Sequence, residues 1–163
     1  MRNEKWRTPV GLLERFEDSL DRMVNGAFAR AFKAEVQPVE IASALQREIN
    51  DRAAVIDRNR TVIPNVFHVE LSEHDYKRLA VFKDALQTEL ATLVRDYGAE
   101  QRYTLLGPVQ VNLGQDDELE TGIFRVRSEA RAEVRAAGGQ EAVSIDTRRS
   151  SFATRSQIGR AHV

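Results

Sequence analysis

The sequence contains no cysteine, and this absence excludes several kinds of site at once. Without thiols there is no disulfide framework, no thiolate zinc site, no iron–sulfur cluster and no cysteine nucleophile. The 163 residues also lack a hydrophobic run approaching the ~18 residues of a membrane helix, and no apolar secretory signal follows the polar start. We therefore expect a cytoplasmic domain that has no disulfides and does not insert into a membrane.

The sequence also has no large excess of positive or negative charge. The 24 lysines and arginines are matched by 25 aspartates and glutamates, so the net charge is −1 and no global positive field attracts nucleic acid. The glycine-rich loops that hold phosphates and the GxSxG turn of serine hydrolases are also absent. We expect a protein that is not an enzyme and that uses no cofactor.

Hydrophobic periodicity is what the sequence does contain. Apolar residues recur at spacings of three and four over 11–33 and again over 37–53, where Pro38 suits a first helical position. Ser72 followed by Asp75 is an N-cap signature, and a third helical stripe follows it. Gly98 is placed to end that helix in a left-handed conformation.

Alternation with a period of two predicts the strands. It is clear over 67–71, 109–113 and 123–128, and shorter candidates lie at 61–63 and 103–106. The last two long strands are separated by an acidic loop and are predicted to form a hairpin. The order α-α-β-α-β-β favours an α+β fold of two layers, with about three helices on one face of a three- or four-stranded mixed sheet.

The sequence divides into segments of different character. We expect a flexible leader over 1–9, the α+β domain over 10–130 and the start of a disordered linker over 131–157, where large apolar residues become rare. The last six residues, 158–163, read IGRAHV and match one translation frame of a common sequencing adapter. We therefore interpret them as a non-native tail.

The polar residues show no catalytic or metal-binding pattern. His68 and His74 fall on a strand and in the first turn of a helix, so they do not share a face as a metal pair would. The acids of 116–120 lack the spaced oxygen ligands of a calcium loop and predict a solvated loop. Glu70 alternates with buried positions and should be exposed. We predict no catalytic residue and no metal site.

The strand at 123–128 carries the only candidates for binding. Arg125 and Arg127 alternate with inward-facing Phe124 and Val126, and Arg131 follows. A basic strand of this kind could bind nucleic acid, bind a protein or be ordinary solvated surface. Nucleic acid is the weaker alternative, because the GxxG clamp of KH domains and the aromatic strands of RRM domains are both missing.

Three segments carry a resemblance to a known family. QPVEIASALQREI, IPNVFHVELSEHDYKRL and GPVQVNL, with the opening GLLERFEDSLDRMVNGAFARAFKAEV, occur in an order and spacing similar to the N-terminal domain of actinobacterial FHA-domain proteins of the FhaA type. The resemblance runs from about residue 10 to residue 128. It implies an α+β domain followed by a long linker and by a C-terminal forkhead-associated (FHA) domain that binds phosphothreonine.

The resemblance also implies a function. Such proteins are adaptors in Ser/Thr-kinase signalling linked to peptidoglycan synthesis and cell division. The strands and phosphate-reading loops of the FHA domain are missing from this chain, so phosphothreonine binding would belong to the missing C-terminal domain. The chain itself is predicted to be a non-catalytic protein-interaction domain, with self-association as one mode and with recruitment to the membrane or septum through partners.

Overall fold

The computed structural model describes residues 8–24, 35–136, 139–145 and 150–154, which form four helices and eight strands. The helices are α1 (Thr8–Val24), α2 (Pro38–Arg52), α3 (Glu73–Ala80) and α4 (Lys83–Gln101). The strands are β1 (Ala54–Asp57), β2 (Arg60–Ile63), β3 (Val66–Leu71), β4 (Thr104–Leu105), β5 (Gln110–Gln115), β6 (Ile123–Ala136), β7 (Gly139–Ile145) and β8 (Ser150–Thr154). The predicted α+β class is confirmed.

Three of the predicted segments lie wholly or partly outside the described residues. The leader predicted for 1–9 lies outside the described residues up to residue 7, and α1 begins at Thr8. The second half of the first predicted helix, over 25–33, and the predicted tail at 158–163 also lie outside them.

The larger sheet has the strand order β5-β3-β6-β7, and β8 pairs with β6. β3 is parallel to β5 and antiparallel to β6, so Val69 lies between Leu113 and Val126. The predicted hairpin of β5 with β6 is therefore wrong. The crossover through α3 and α4 returns the chain parallel to β3, and the acidic loop passes over the end of β3, where the Asp116 N–H donates to the Leu71 carbonyl at 2.8 Å.

The smaller sheet has the order β1-β2-β4. β1 and β2 form an antiparallel hairpin with Ala54 opposite Val62, and β2 runs parallel to β4. The Asp57 carboxylate accepts a hydrogen bond of 2.9 Å from the Asn59 N–H and closes the turn. The sequence patterns left β1 unassigned.

Strands occupy 131–136, 139–145 and 150–154 within the segment 131–157 that we expected to be a disordered linker, and the rest of that segment lies outside the described residues. β6 continues to Ala136, and it pairs antiparallel with β7, from Ala130 opposite Ile145 to Ala136 opposite Gly139. β8 pairs with the first half of β6, from Ile123 to Arg127. Strand pairing satisfies backbone groups whatever the side chains are, so a segment poor in large apolar residues can still join a sheet.

The core lies between the helices and one face of the larger sheet. On the sheet side it contains Phe67, Val69, Leu71, Val111, Leu113, Phe124 and Val126. On the helix side it contains Leu12, Phe16, Leu20, Ile41, Leu45, Ile49, Leu86, Leu90, Leu93 and Val94. The other face of β3 and β6 carries charged residues, because neighbouring residues of a strand point to opposite faces. None of the four described helices is both long and apolar enough to cross a bilayer.

Gly98 does not end the helix as predicted. The third predicted helix breaks into α3 and α4, and α4 passes Gly98 and stops at Gln101, where Arg102 adopts the left-handed conformation with φ 61°. Gly98 is buried against β2, and a Cβ at this position would lie 3.3 Å from Cδ1 of Ile63. The glycine therefore permits a close approach between helix and strand.

Candidate functional site

The two arginines predicted as binding residues lie together on the polar face of the larger sheet. Arg125 lies directly opposite Glu70 across the β3–β6 ladder, and Arg127 lies opposite His68. The Arg125 Nε donates to Glu70 Oε1 at 2.6 Å, and Arg127 donates to the other oxygen of the same carboxylate. Arg125 also pairs with Asp116, which follows β5. Glu70, predicted to be exposed, is instead partly buried between these two cations.

This cluster carries no net charge. Two guanidinium groups meet the two carboxylates of Glu70 and Asp116, so the positive charge of the strand is compensated where it occurs. Arg131 lies farther along β6 and pairs with Glu129. Nucleic-acid affinity depends on cations that are available to phosphates. The structure therefore argues against the hypothesis that Arg125, Arg127 and Arg131 bind nucleic acid.

His68 and His74 lie where the sequence predicted. His68 is on β3, and His74 is in the first turn of α3, where its Nε2 lies 3.1 Å from Glu35 Oε2. The hydrogen bond with His74 lowers the pKa of Glu35 below its usual 4.5, partial burial opposes this, and Arg78 lowers it further. These contacts attach the segment before α2 to α3. Among the residues that the structure describes, no cluster of acids and histidines has metal-binding geometry.

Two buried carboxylates were not predicted. Asp75 accepts hydrogen bonds from the Ser72 hydroxyl at 3.1 Å, the Gly122 N–H at 2.7 Å and the Val36 N–H at 3.4 Å. It therefore joins three separate parts of the chain. Both carboxylates lie on helices, and their roles depend on residues far away in sequence.

Glu48 is the second of them. Its Oε2 accepts a hydrogen bond of 2.6 Å from the Ser128 hydroxyl and pairs with Arg52 at 3.3 Å, which connects α2 to β6. These partners tie the carboxylate to the fold. We therefore interpret Glu48 and Asp75 as structural groups.

Two of the three large apolar residues that are exposed among the described residues lie at the β1–β2 hairpin. Val55 is 76% exposed and Ile56 is 55% exposed, and they are neighbours on β1, the edge strand of the smaller sheet. The pairing register shifts between Val55 and Asp57, which places a bulge at Ile56. Val81, at the junction of α3 and α4, is also 76% exposed but stands apart in the chain.

A groove of about 240 Å³ lies beside this hairpin, and we call it the hairpin groove. Seven apolar residues line it: Ala54, Ile56, Val62, Ile63, Pro64, Leu106 and Ala130. Both charged residues among its described lining are arginines, Arg52 and Arg60. An apolar cleft with a few charged groups at its margin is typical of a binding surface.

The hairpin groove could not be read from the sequence as a site, although a signal for the hairpin is there. Ala54-Val55-Ile56 and Thr61-Val62-Ile63 are rich in β-branched residues and flank a polar turn that contains Asn59. Leu106 and Ala130 complete the groove from distant positions in the chain. Only the folded sheet brings them beside the hairpin.

Known proteins resemble this chain over most of its length. The profile of the family described as FhaA, N-terminal domain, matches residues 13–127. The FHA domain-containing protein FhaA of Mycobacterium tuberculosis is 33% identical over 123 residues, which cover 76% of this chain and 23% of that protein. The chain thus corresponds to less than a quarter of the relative's length.

A solved structure gives the same result. "Rv0020c_Nter structure" superposes with a TM-score of 0.57 at 34% sequence identity, covering 63% of this chain and 77% of the other. The profile match covers more than half of the chain.

Proposed function

This chain belongs to the FhaA N-terminal domain family, and from that membership we propose that it is a non-catalytic protein-interaction domain of an FHA adaptor. The relative from Mycobacterium tuberculosis is an FHA domain-containing protein, which supports the adaptor context. The domain would occupy residues 10–130 and contribute a protein-binding surface, while a C-terminal FHA domain would bind phosphothreonine.

The observation that carries this proposal is the exposed hairpin. Val55 and Ile56 are consecutive exposed aliphatic residues at the unpaired edge of a sheet, among the residues that the structure describes. Adjacent exposed aliphatic residues on an edge strand are unfavourable in a protein that binds nothing, since such edges promote association. A protein partner that covers the hairpin explains why they are tolerated.

The charged groups support the same conclusion. Within the described ranges, Arg125 and Arg127 are paired with carboxylates, and the buried acids Glu48 and Asp75 are engaged by other parts of the fold. A catalytic acid or base needs access to a substrate. No such arrangement supports an enzymatic function for the part of the chain that is described.

The wider role follows from the family. We place the adaptor in Ser/Thr-kinase signalling that is linked to cell-wall synthesis and cell division. Its location would be cytoplasmic, with recruitment to the membrane or septum through its partners. Kinase-pathway and cell-wall proteins are accordingly the partners we expect, and self-association is the alternative mode of binding.

Site-specific photocrosslinking in cells tests the interaction function. The photoreactive residue p-benzoylphenylalanine replaces Val55, and in a matched control it replaces Val81, which is equally exposed at 76%. We expect a discrete crosslinked protein band from position 55 and none from position 81. Equal crosslinking from both positions, or none from position 55, would contradict the proposal.

A further inference from the structure

The hairpin groove is large enough to hold one side chain of a partner. Its volume of about 240 Å³ is below the ~300–1,000 Å³ of typical small-molecule pockets. The lining is mostly aliphatic, and the groove lies open beside an exposed hairpin. These dimensions suit one apolar anchor residue of a larger partner, because such a residue gains most from leaving water.

The charged residues around the groove determine which residues are favoured on either side of the anchor residue in the partner. Arg60 is 54% exposed, and the neighbouring Arg58, in the turn, is exposed as well. Arg60 pairs with Asp57, which is itself 54% exposed, so this ion pair is open to solvent and to exchange with another carboxylate. Arg52 is held by buried Glu48, and its side chain remains 12% exposed at the groove. Arg52 and Arg60 are each paired with a carboxylate, so the preference for an acidic partner comes from Arg58, which leaves Asp57, Arg58 and Arg60 with a net charge of +1, and from the solvent-exposed position of the Arg60–Asp57 pair.

The edge strand β1 favours a partner segment in the extended conformation. β1 pairs with β2 on one side, and its other side has no strand partner in the part of the chain that is described. An unpaired edge offers backbone donors and acceptors that match an extended chain. Ile56 lines the groove and Val55 is the preceding residue of the same edge strand, so a segment added along β1 would run past both residues.

We propose that the hairpin groove binds an extended segment of another protein in which an aliphatic or aromatic residue is flanked by carboxylates. This inference rests on the proposed interaction function and adds the chemistry of the partner. The apolar anchor enters the groove, and the flanking carboxylates pair with Arg60 and Arg58. Basic segments are rejected because the same arginines repel them.

Selection from a random-peptide phage library tests the inference with the 163-residue chain as bait. We expect enriched peptides with one aliphatic or aromatic residue between Asp or Glu residues. Binding of the enriched synthetic peptide, measured by fluorescence anisotropy, should weaken about tenfold or more in Ile56→Asp, because the anchor loses its apolar contact. In Arg60→Glu it should weaken about fivefold, and more strongly at low salt.

Arg95→Glu is the matched control, since Arg95 is exposed on α4 away from the groove and should leave peptide binding unchanged. Circular dichroism confirms that each variant folds. Peptides with basic flanks, peptides that bind Ile56→Asp equally well, or no enrichment would each overturn the inference.

The crosslinking experiment separates the two proposals. A band between position 55 and another protein supports the interaction function whatever the chemistry of the selected peptides. A band that joins two copies of this chain would overturn the inference of a segment from another protein, and the interaction function would stand as self-association.

Discussion

Asp75 shows how one residue can connect distant parts of the chain. The Ser72 hydroxyl caps α3 by accepting from the Asp75 N–H at 3.1 Å, as the sequence signature predicted. The carboxylate then reaches Val36 before α2 and Gly122 before β6, which the signature could not indicate. The local part of the motif depends on residues three apart, and the rest depends on the fold.

Replacing Asp75 should be costly. Asp75→Ala leaves the buried N–H of Val36, the partly buried N–H of Gly122 and the Ser72 hydroxyl without their acceptor, so we expect a loss of about 2–4 kcal/mol in the free energy of unfolding. Urea denaturation followed by circular dichroism measures it. Asp96→Ala, on the exposed side of α4, is the control and should change stability little. A loss no larger than that of the control would show that the network contributes nothing.

Glu35 should make stability depend on pH. The pKa of its carboxyl is lowered below 4.5 by the hydrogen bond with His74 and by Arg78. A carboxyl with a lower pKa in the folded state stabilises the fold above its unfolded pKa, and this contribution is lost as the pH falls through the folded pKa. Glu35→Gln should therefore be less stable than the parent above pH 4.5.

The stability difference between the parent and Glu35→Gln should shrink as the pH is lowered below 4.5. Urea midpoints measured across this range test the prediction, with Glu118→Gln in the exposed acidic loop as the control. A difference that stays constant with pH would mean that the ionised carboxylate is not what the fold gains from this residue.

At the scale of elements, the contact of α4 with β2 depends on Gly98. Its Cα faces Ile63 so closely that a Cβ would stand 3.3 Å from the isoleucine methyl group. Ile63 is fully buried and has little room to move. The sequence predicts a helix end at Gly98, because glycine is common at helix C-termini. In the structure the glycine instead allows α4 and β2 to approach closely.

Gly98→Leu should push α4 away from β2. We expect a loss of about 1–3 kcal/mol in the free energy of unfolding, since overpacking a buried contact costs this much. Ala99→Leu is the matched control, because position 99 is the exposed next residue of the same helix. Ile63→Val should relieve part of the penalty in a double-mutant cycle. Equal stability of the two leucine variants would contradict the close packing at Gly98.

At the scale of the whole molecule, charge is balanced both overall and locally. The net charge is −1, and the basic strand is compensated by Glu70 and Asp116. Arg125 and Arg127 therefore resemble a nucleic-acid surface only when β6 is considered without its neighbours. The compensation comes from β3 and from the loop after β5.

Removing that compensation should create an affinity for RNA. We expect no salt-dependent binding of single-stranded RNA by the parent chain. Glu70→Gln combined with Asp116→Asn should gain binding that weakens with salt, with a log–log slope of roughly −1.4 for two available arginines. Fluorescence anisotropy at two salt concentrations measures it, and Glu118→Gln is the control. Steep salt-dependent binding by the parent would instead favour the nucleic-acid alternative.

The sequence alone determined the α+β class, the family, the capped start of α3 and the inward faces of β3 and β6. All of these depend on local patterns: hydrophobic period, capping chemistry and the order of segments. These patterns involve residues that are close together in the chain, and the local conformation of such residues depends little on the rest of the fold. The predictions based on them were therefore confirmed.

Only the tertiary structure decided the strand order, the neutralised arginines and the hairpin groove. β3 separates β5 from β6, Glu70 reaches Arg125 across 55 positions of sequence, and Leu106 joins Ile56 in one groove. Each of these contacts joins residues far apart in the chain, and a local pattern has no information about which distant element will pair with it. The energy of the whole packed arrangement makes that choice.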